Sequence, residues 1–538
     1  MKKIFTILLL SLIAATLGGC DIINGILFPY TRGTGALDYV NLSKTANVSD
    51  GFLNIYYLDD NGLIIKDGEV PYVNAKEFLW KIQGAINYLY MDISTTKEKT
   101  TFSTKFRMDE EGNKLGIEVD FVQNLITIDE FLYFDLLGAD LTEDPTKTIE
   151  VESAVFSDAQ STLIDLTNYD MNLFISDGMY LMPFHLANLL YSGDAYDVFF
   201  NGDKIYGYSA SQLDDEAVLS QMYFSSYNYL SMSTEYKEYC VSYTALLFDH
   251  FYGLKEEVLG DDYTSFNEYL DNYSNKLIDS NDDDFSQGMR DFIVGLDDSH
   301  SGMILTGIYQ SIGYELPKLT LADLGPRRKI FEETRKDLFE KVKDREMFEY
   351  LDNDKTLVVY FTGFDGQTLS DIKDGLKEYK NTVENIVIDL SYNTGGNLGV
   401  TIELLGFLTD GMVPISYKNP TDLSTTTAQY KKTALNTTRA LSVNWYILTS
   451  KVTFSAANLM TFIAKDNNLA TIIGDKSSGG ACAIAYEVLP DGTMIVMSGT
   501  FKLTDDNYDS IEYGIDVDYQ MNDVTDRNEL ISLINGLK

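Results

Sequence analysis

An α+β, multidomain architecture is what the sequence predicts. Three observations predict it. A chain of 538 residues exceeds what one hydrophobic core usually organises. Its first part carries strand–turn–strand patterns beside short helix patterns, and its last part alternates buried-strand runs with helix patterns, the grammar of an α/β domain. The expected division is a lipoprotein signal peptide over 1–19, a tether over 20–50, and an α+β N-terminal region over 51–210, built as one region or as two related units. A mainly helical region over 211–355 and an α/β domain over 356–538 follow.

The chain opens with Lys2 and Lys3, an apolar run from Ile4 to Ala15, and then Leu17, Gly18, Gly19 and Cys20. That order is what a lipoprotein signal peptidase cuts, leaving the Cys20 thiol at the new N-terminus for a diacylglycerol. The apolar run is too short for a stable membrane span, so the lipid supplies the anchor. The expected location is extracytoplasmic, lipid-anchored to a bacterial membrane. Residues 21–50 are rich in Gly, Thr, Asn and Ser, which suits a tether.

Beyond it, Phe52–Leu58, the turn Asp59-Asp60-Asn61-Gly62 and Leu63–Lys66 read as a hairpin. A helix is expected over Ala75–Tyr90. A loosely similar order recurs with Met171–Ile175, a turn at Ser176-Asp177-Gly178, a helix from Phe184 to Leu190, and a hairpin over Val198–Tyr206. From Asp215 to about Met289 the period changes: Leu219, Tyr223, Tyr227 and Leu230, then Ala245, Leu246, Phe248, Phe251 and Leu254, recur at helical spacing. Aromatic stripes at that spacing are core. The breaker Gly325-Pro326 should start a long helix running toward Phe348. In the last domain, Leu357–Phe361, Ile386–Leu390, Trp445–Leu448 and Ala470–Ile473 read as buried strands, interleaved with helices from Leu369, Val400 and Ser455.

A formal net charge of -41 and a pI near 4.3 repel nucleic acid and anionic lipid surfaces, so no nucleic-acid partner is expected. Cys240 and Cys482 lie far apart in apolar surroundings and read as single buried thiols. No pair of His or Cys has metal-ligand spacing, and Ser478-Gly479-Gly480 lacks the Lys and Ser of a phosphate loop, so neither a metal nor a cofactor is expected.

Chemistry is expected where Asn393-Thr394-Gly395-Gly396 ends one buried strand and Ser455 opens a helix after another. A serine at such a junction, beside glycines whose N–H groups can turn outward, is an arrangement in which a nucleophile meets an oxyanion hole. At these residues the sequence resembles the tail-specific, or carboxyl-terminal-processing, serine peptidases, and within them the branch of the tricorn protease core and interphotoreceptor retinoid-binding protein. The resemblance is carried by Ile388–Gly396, by Leu448–Ala457, by Gly474 with Gly479, by Leu489-Pro490-Asp491-Gly492 and by Ile511–Ile515. With Asp297-Asp298-Ser299-His300 included, it extends over about residues 296–520.

The resemblance implies a crotonase-like α/β (ββα-type) peptidase domain. It implies Ser455 as nucleophile and the N–H groups of Gly395, Gly396 and Ala456 as oxyanion hole. His300 is implied as general base, with Ser299 and Glu512 completing a hydrogen-bonded tetrad. A histidine suits the role because its reference pKa, about 6.5, permits proton transfer near neutrality. Three departures stand out: Gly480 occupies the position where the other branch carries a lysine base, Asn458 replaces a common glutamate, and Val517 stands where proline is common. Too little chain lies between His300 and Thr356 for the PDZ domain many relatives carry. The expected function is therefore a membrane-anchored serine peptidase acting on a peptide or protein substrate. The alternative is a peptidase-fold surface protein that has lost catalysis and binds a peptide or glycan.

Overall fold

The computed structural model describes residues 35–537, without 44–45, 67, 98, 109–113, 138–148, 158, 193–195, 210–211, 214, 310–313 and 433–439. The expected signal peptide, Cys20 and the start of the tether lie outside the described residues. Among those described, no helix is long and apolar enough to cross a membrane.

The sheet that organises the C-terminal part contains, in spatial order, Phe348–Leu351, Thr356–Tyr360, Asn385–Asp389, Asn444–Thr449, Thr471–Gly474 and Tyr519–Gln520. The first pair is antiparallel and all the others are parallel. Alternate side chains enter two different cores, as the strand period of two requires. Leu357, Val359, Ile386, Ile388, Trp445, Ile447 and Ile472 pack against the helices Gly366–Lys377, Leu398–Leu405 and Ala456–Asp466. Val358, Val387, Tyr446, Leu448 and Ile473 pack on the other face with Phe331 and Leu338 of the helix Pro326–Val342 and with Leu530 and Ile534 of the helix Arg527–Gly536. Burial on both faces is why these strands read as continuous apolar runs. In such a sheet the carboxyl ends of the parallel strands are where a ligand crevice opens. Both Gly395-Gly396 and Ser455 follow strand carboxyl ends.

A second sheet draws on three of the segments expected to be separate. Its path runs Ile149–Phe156, Thr425–Lys432, Val413–Lys418, Met494–Thr504, Gly302–Leu305, with Cys482–Val488 also paired to Met494–Thr504. Gly302 and Met303 lie opposite Val496 and Ile495, so the turn carrying His300 enters this sheet directly. One apolar core accordingly runs from Tyr39 to Tyr309 and takes in Cys482, Leu489, Ile495 and Met497. The expected boundaries at 210 and 355 are thus crossed by strands and by core packing, and the C-terminal sheet already begins at Phe348.

Two N-terminal expectations change. Residues 35–41, expected within the tether, form a strand that pairs antiparallel with Gly51–Ile55 and parallel with Ile205–Tyr208. Tyr39 buries its ring there and meets the Tyr196 hydroxyl. The helix expected to reach Tyr90 spans Ala75–Ile82 only. Gly84 packs against the Asn47 carbonyl so closely that a Cβ would lie 2.0 Å from its oxygen. The hairpin before it, the helix Phe184–Tyr191, and the helix beginning at Pro326 agree with the sequence reading. Cys240 and Cys482 are both buried and form no disulfide with each other.

Candidate active site

Ser455 stands one residue before the helix Ala456–Asp466 at φ 57° and ψ -124°. Such a backbone costs a non-glycine residue about 1–3 kcal/mol and persists only where its surroundings over-determine it. Here the Ser455 N–H donates to the Gly479 carbonyl at 2.8 Å, the Phe454 N–H donates to the Asn393 carbonyl at 3.1 Å, and the Leu459 N–H donates to the Ser455 carbonyl at 3.0 Å. The serine does not cap its helix, because its side chain accepts no N–H there. A helix-capping serine would have spent its hydroxyl on the backbone; this one is left half-buried and unengaged.

The glycine loop closes on it. Gly395 has φ 98°, and a Cβ built there would lie 2.7 Å from Ser455 Cβ and 2.9 Å from the Ala456 nitrogen. Only a residue without a side chain permits that approach. Asn393 holds the loop by donating to the Phe361 carbonyl and accepting the Gly395 N–H at 2.9 Å. The Gly395 N–H is therefore committed to Asn393, whereas the N–H groups of Gly396 and Ala456 carry no hydrogen bond among the described residues. Below the loop, Thr453 Oγ1 donates to the Leu390 carbonyl at 2.7 Å and Ser450 Oγ to the Ser391 carbonyl at 2.5 Å, tying the two strand ends together. Asp389, fully buried at the end of its strand, is neutralised by Arg345 at 2.8 Å and Arg527 at 2.9 Å.

His300 approaches from the other sheet. Its ring lies 4.5 Å from the Phe454 ring, centroid to centroid, beside the serine. Phe331 of the long helix packs on the same ring at 5.7 Å. No hydrogen bond joins His300 to Ser455, and the imidazole Nδ1 is buried without a partner. Burial pushes the imidazole pKa below its ordinary value; the Asp298 carboxylate opposes that shift and Arg327 adds to it. The ring is consequently neutral at neutral pH, the state a general base needs.

Ser299 sits half-buried in the same turn, with no hydrogen bond to Glu512. The Glu512 carboxylate is fully buried and otherwise occupied: Arg327 donates to Oε1 at 2.6 Å and the Ala481 N–H to Oε2 at 2.7 Å. Burial raises its pKa and the Arg327 charge counters it. Its carbonyl also accepts the Gly480 N–H at 3.2 Å. Glu512 thus belongs to the wall of the site through residues 479–481, while the expected chain from it through Ser299 to the imidazole is not formed.

The position expected to carry a lysine is closed. A Cβ at Gly480, where φ is 87°, would lie 2.5 Å from the Phe454 ring, whose neighbourhood His300 and Phe331 already fill. Lys451 and Lys476 are half-exposed and face Asp475 and Asp516 at 3.9 and 3.4 Å. Asn458, in place of the common glutamate, is fully buried, donates to the Ile511 carbonyl at 3.1 Å and accepts the Ser477 hydroxyl at 2.7 Å. It anchors the loop that leads into Glu512. Among the described residues no group of His, Cys, Asp or Glu is arranged to hold a metal ion.

Four residues of the site were given no role by the sequence reading: Phe454, Asn393, Asp298 and Arg327. The first three stand inside its motifs, and their roles depend on contacts across the fold. Arg327 carried no local signal beyond its place in the first turn of a helix.

Comparison with known proteins places residues 355–521 in Peptidase family S41. A protein of Staphylococcus aureus (strain bovine RF122 / ET3-1) named "Probable CtpA-like serine protease" is 26% identical over 162 residues, covering 30% of this chain and 32% of its own. The corresponding protein of strain N315 is 25% identical over the same length. The chain thus spans about a third of the length of the curated relatives it matches. Among solved structures, a lipoprotein from Streptococcus agalactiae matches with a TM-score of 0.36 at 15% identity, over 56% of this chain and 96% of that one. The tricorn protease matches with a TM-score of 0.33 at 12% identity, over 94% of this chain and 58% of that one. The chain therefore carries a serine-type peptidase domain of family S41 over residues 355–521.

Proposed function

We propose that the protein is a serine peptidase that cleaves peptide bonds through an acyl-enzyme on Ser455, with His300 as general base. The observation that carries this reading is the strained, uncapped Ser455 held against Gly395. The His300 ring packs against Phe454, the residue before Ser455. In the proposed cycle the neutral imidazole takes the Ser455 hydroxyl proton as the oxygen attacks the scissile carbonyl, then returns it to the leaving amine. The unoccupied N–H groups of Gly396 and Ala456 receive the developing oxyanion, a contribution of about 3 kcal/mol per well-placed donor. Water then resolves the ester by the same route. The hydrogen bond between imidazole and hydroxyl forms on substrate binding in this reading, since catalytic hydrogen bonds are often long in a free enzyme and tighten in the complex.

We read the layered parallel sheet as crotonase-like. The N-terminal sequence supports an exported protein, lipidated at Cys20 and held at the outer face of a bacterial membrane. Mass spectrometry of the membrane fraction should find diacylglycerol on Cys20, and an unmodified mature N-terminus would refute that part. The catalytic reading is tested with a fluorophosphonate probe, which should label the wild type and spare Ser455→Ala. A well-folded wild type that resists labelling would favour a binding protein that has lost catalysis, the reading for which the unmade His300–Ser455 hydrogen bond speaks.

A further inference from the structure

In the familiar triad an acid fixes the base by accepting a hydrogen bond at the imidazole Nδ1. That atom has no partner here, and it is buried. The question is what fixes His300 instead. Asp298 is 1% exposed and both its carboxylate oxygens are engaged by the same turn and its support. Oδ1 accepts the His300 backbone N–H at 2.9 Å, and Oδ2 accepts the Ser301 hydroxyl at 2.6 Å and the Tyr252 hydroxyl at 3.2 Å. Tyr252 is fully buried and ends the helix Thr234–Phe251, so this bond ties the turn to the helical region.

The residue before it performs the complementary attachment. Asp297, at φ 51°, accepts the N–H groups of Arg327 and Arg328 at 2.9 and 3.0 Å, capping the helix Pro326–Val342. Adjacent carboxylates therefore fasten one turn in two directions. The backbone of His300 is set by Asp298, and its ring packs against the Phe454 ring at an interplanar angle of 49°.

We propose that Asp298 is the positioning residue of the base, acting on the His300 backbone and on the charge around its ring, in place of an acid bonded to the imidazole. This deepens the reading of Ser455 and His300 as nucleophile and base and rests on it. The charged or titratable groups around the imidazole are Asp298 on its own turn and Arg327 on the long helix. Beyond them lie Glu512, paired to Arg327, and the buried Cys482 thiol, which both carboxylates influence. Asp298 is the one whose charge favours the imidazolium formed during acylation without being neutralised by a cation.

The test uses the full chain with Asp298→Asn, Asp298→Ala and Glu512→Gln. An asparagine can still accept the His300 N–H, but its NH2 group cannot accept the two hydroxyls and carries no charge. The first readout is the NMR titration of the His300 imidazole, assigned among only three histidines. Asp298→Asn should move its midpoint to lower pH by a resolvable step. The second is the rate of Ser455 labelling across pH. Asp298→Ala should fall about a hundredfold, Asp298→Asn about tenfold with its acid limb displaced the same way as the titration, and Glu512→Gln less than either. An unmoved His300 midpoint in a folded Asp298→Asn protein would overturn the proposal, as would wild-type labelling by Asp298→Ala. Failure of the catalytic reading itself would appear differently, as unchanged labelling in His300→Ala or none in the wild type, with the titration still reporting on Asp298.

Discussion

The two halves of the site are built from different materials. The nucleophile half, Asn393–Gly396 with Phe454–Ala456, is held by backbone hydrogen bonds, by the neutral side chains of Asn393, Ser450 and Thr453, and by contacts that only glycine permits. The base half, Asp297–Ser301 with Arg327 and Glu512, is held by carboxylates acting on N–H groups, on hydroxyls and on one guanidinium. The first kind of scaffold is indifferent to pH and intolerant of added atoms. The second tolerates changes of shape better than changes of charge, because buried carboxylates lose their function when protonated or unpaired.

Gly395→Ala sharpens that contrast most. Its Cβ would meet Ser455 Cβ at 2.7 Å, so acylation should fall on the order of a thousandfold with the pH profile unmoved. Single-turnover kinetics across pH would read both, and a displaced acid limb would break the division. Arg327→Ala tests the other half. It strips the partner from buried Glu512 while the helix remains capped by Asp297, so stability should drop by roughly 2–3 kcal/mol in denaturant unfolding. The loss stays below that of a fully buried pair because the Arg327 side chain is one-third exposed and screened by solvent. Since Arg327 disfavours the imidazolium, the acid limb of labelling should move to higher pH.

Asp491 lies in the turn between the two strands of the base-side sheet, fully buried, with Thr493 donating to both oxygens. Burial pushes its carboxyl up to about 6. A carboxyl with a raised folded pKa costs stability when ionised, and the cost is removed as pH falls toward its unfolded value near 3.9. Asp491→Asn should therefore unfold at higher denaturant than the wild type at about pH 8, by up to about 3 kcal/mol, and at equal denaturant below about pH 4. A difference independent of pH would deny that the charge is responsible. The smallest effect is expected from Lys451→Ala and Lys476→Ala. Both lysines face surface carboxylates, and acylation should change less than about twofold.

The same contrast explains what could be read in the sequence. The nucleophile half was legible because its parts are local: Ile386–Ile388 is an apolar, β-branched run, the turn after its strand carries two glycines, and Ser455 opens a run of helix formers. His300 was found through its motif and not through any periodicity. What held it was not legible, because Asp298 is itself anchored by Tyr252, which is remote in sequence, and Asp297 by a helix that begins at Pro326. The Ser299–Glu512 chain was expected by resemblance, and the structure commits Glu512 to Arg327 and Ala481 instead. The strands Met91–Thr95, Lys99–Met108 and Lys114–Asp120 were missed as well. They form an antiparallel sheet with Leu125–Ile128 and Thr162–Asp165 in which Thr, Ser and Lys interrupt the apolar pattern.

The central claim is that a histidine from one sheet serves a serine from another. Pre-steady-state acylation of Ser455 in wild type and in His300→Ala, measured across pH, tests it most directly. Burial lowers the His300 pKa, so the wild-type rate should hold through neutrality and fall only below the ordinary histidine value of about 6.5 as the imidazole takes up a proton. His300→Ala, folded, should lose at least about a hundredfold and lose that acid limb. Near-wild-type acylation in His300→Ala, with the acid limb retained, would contradict the account.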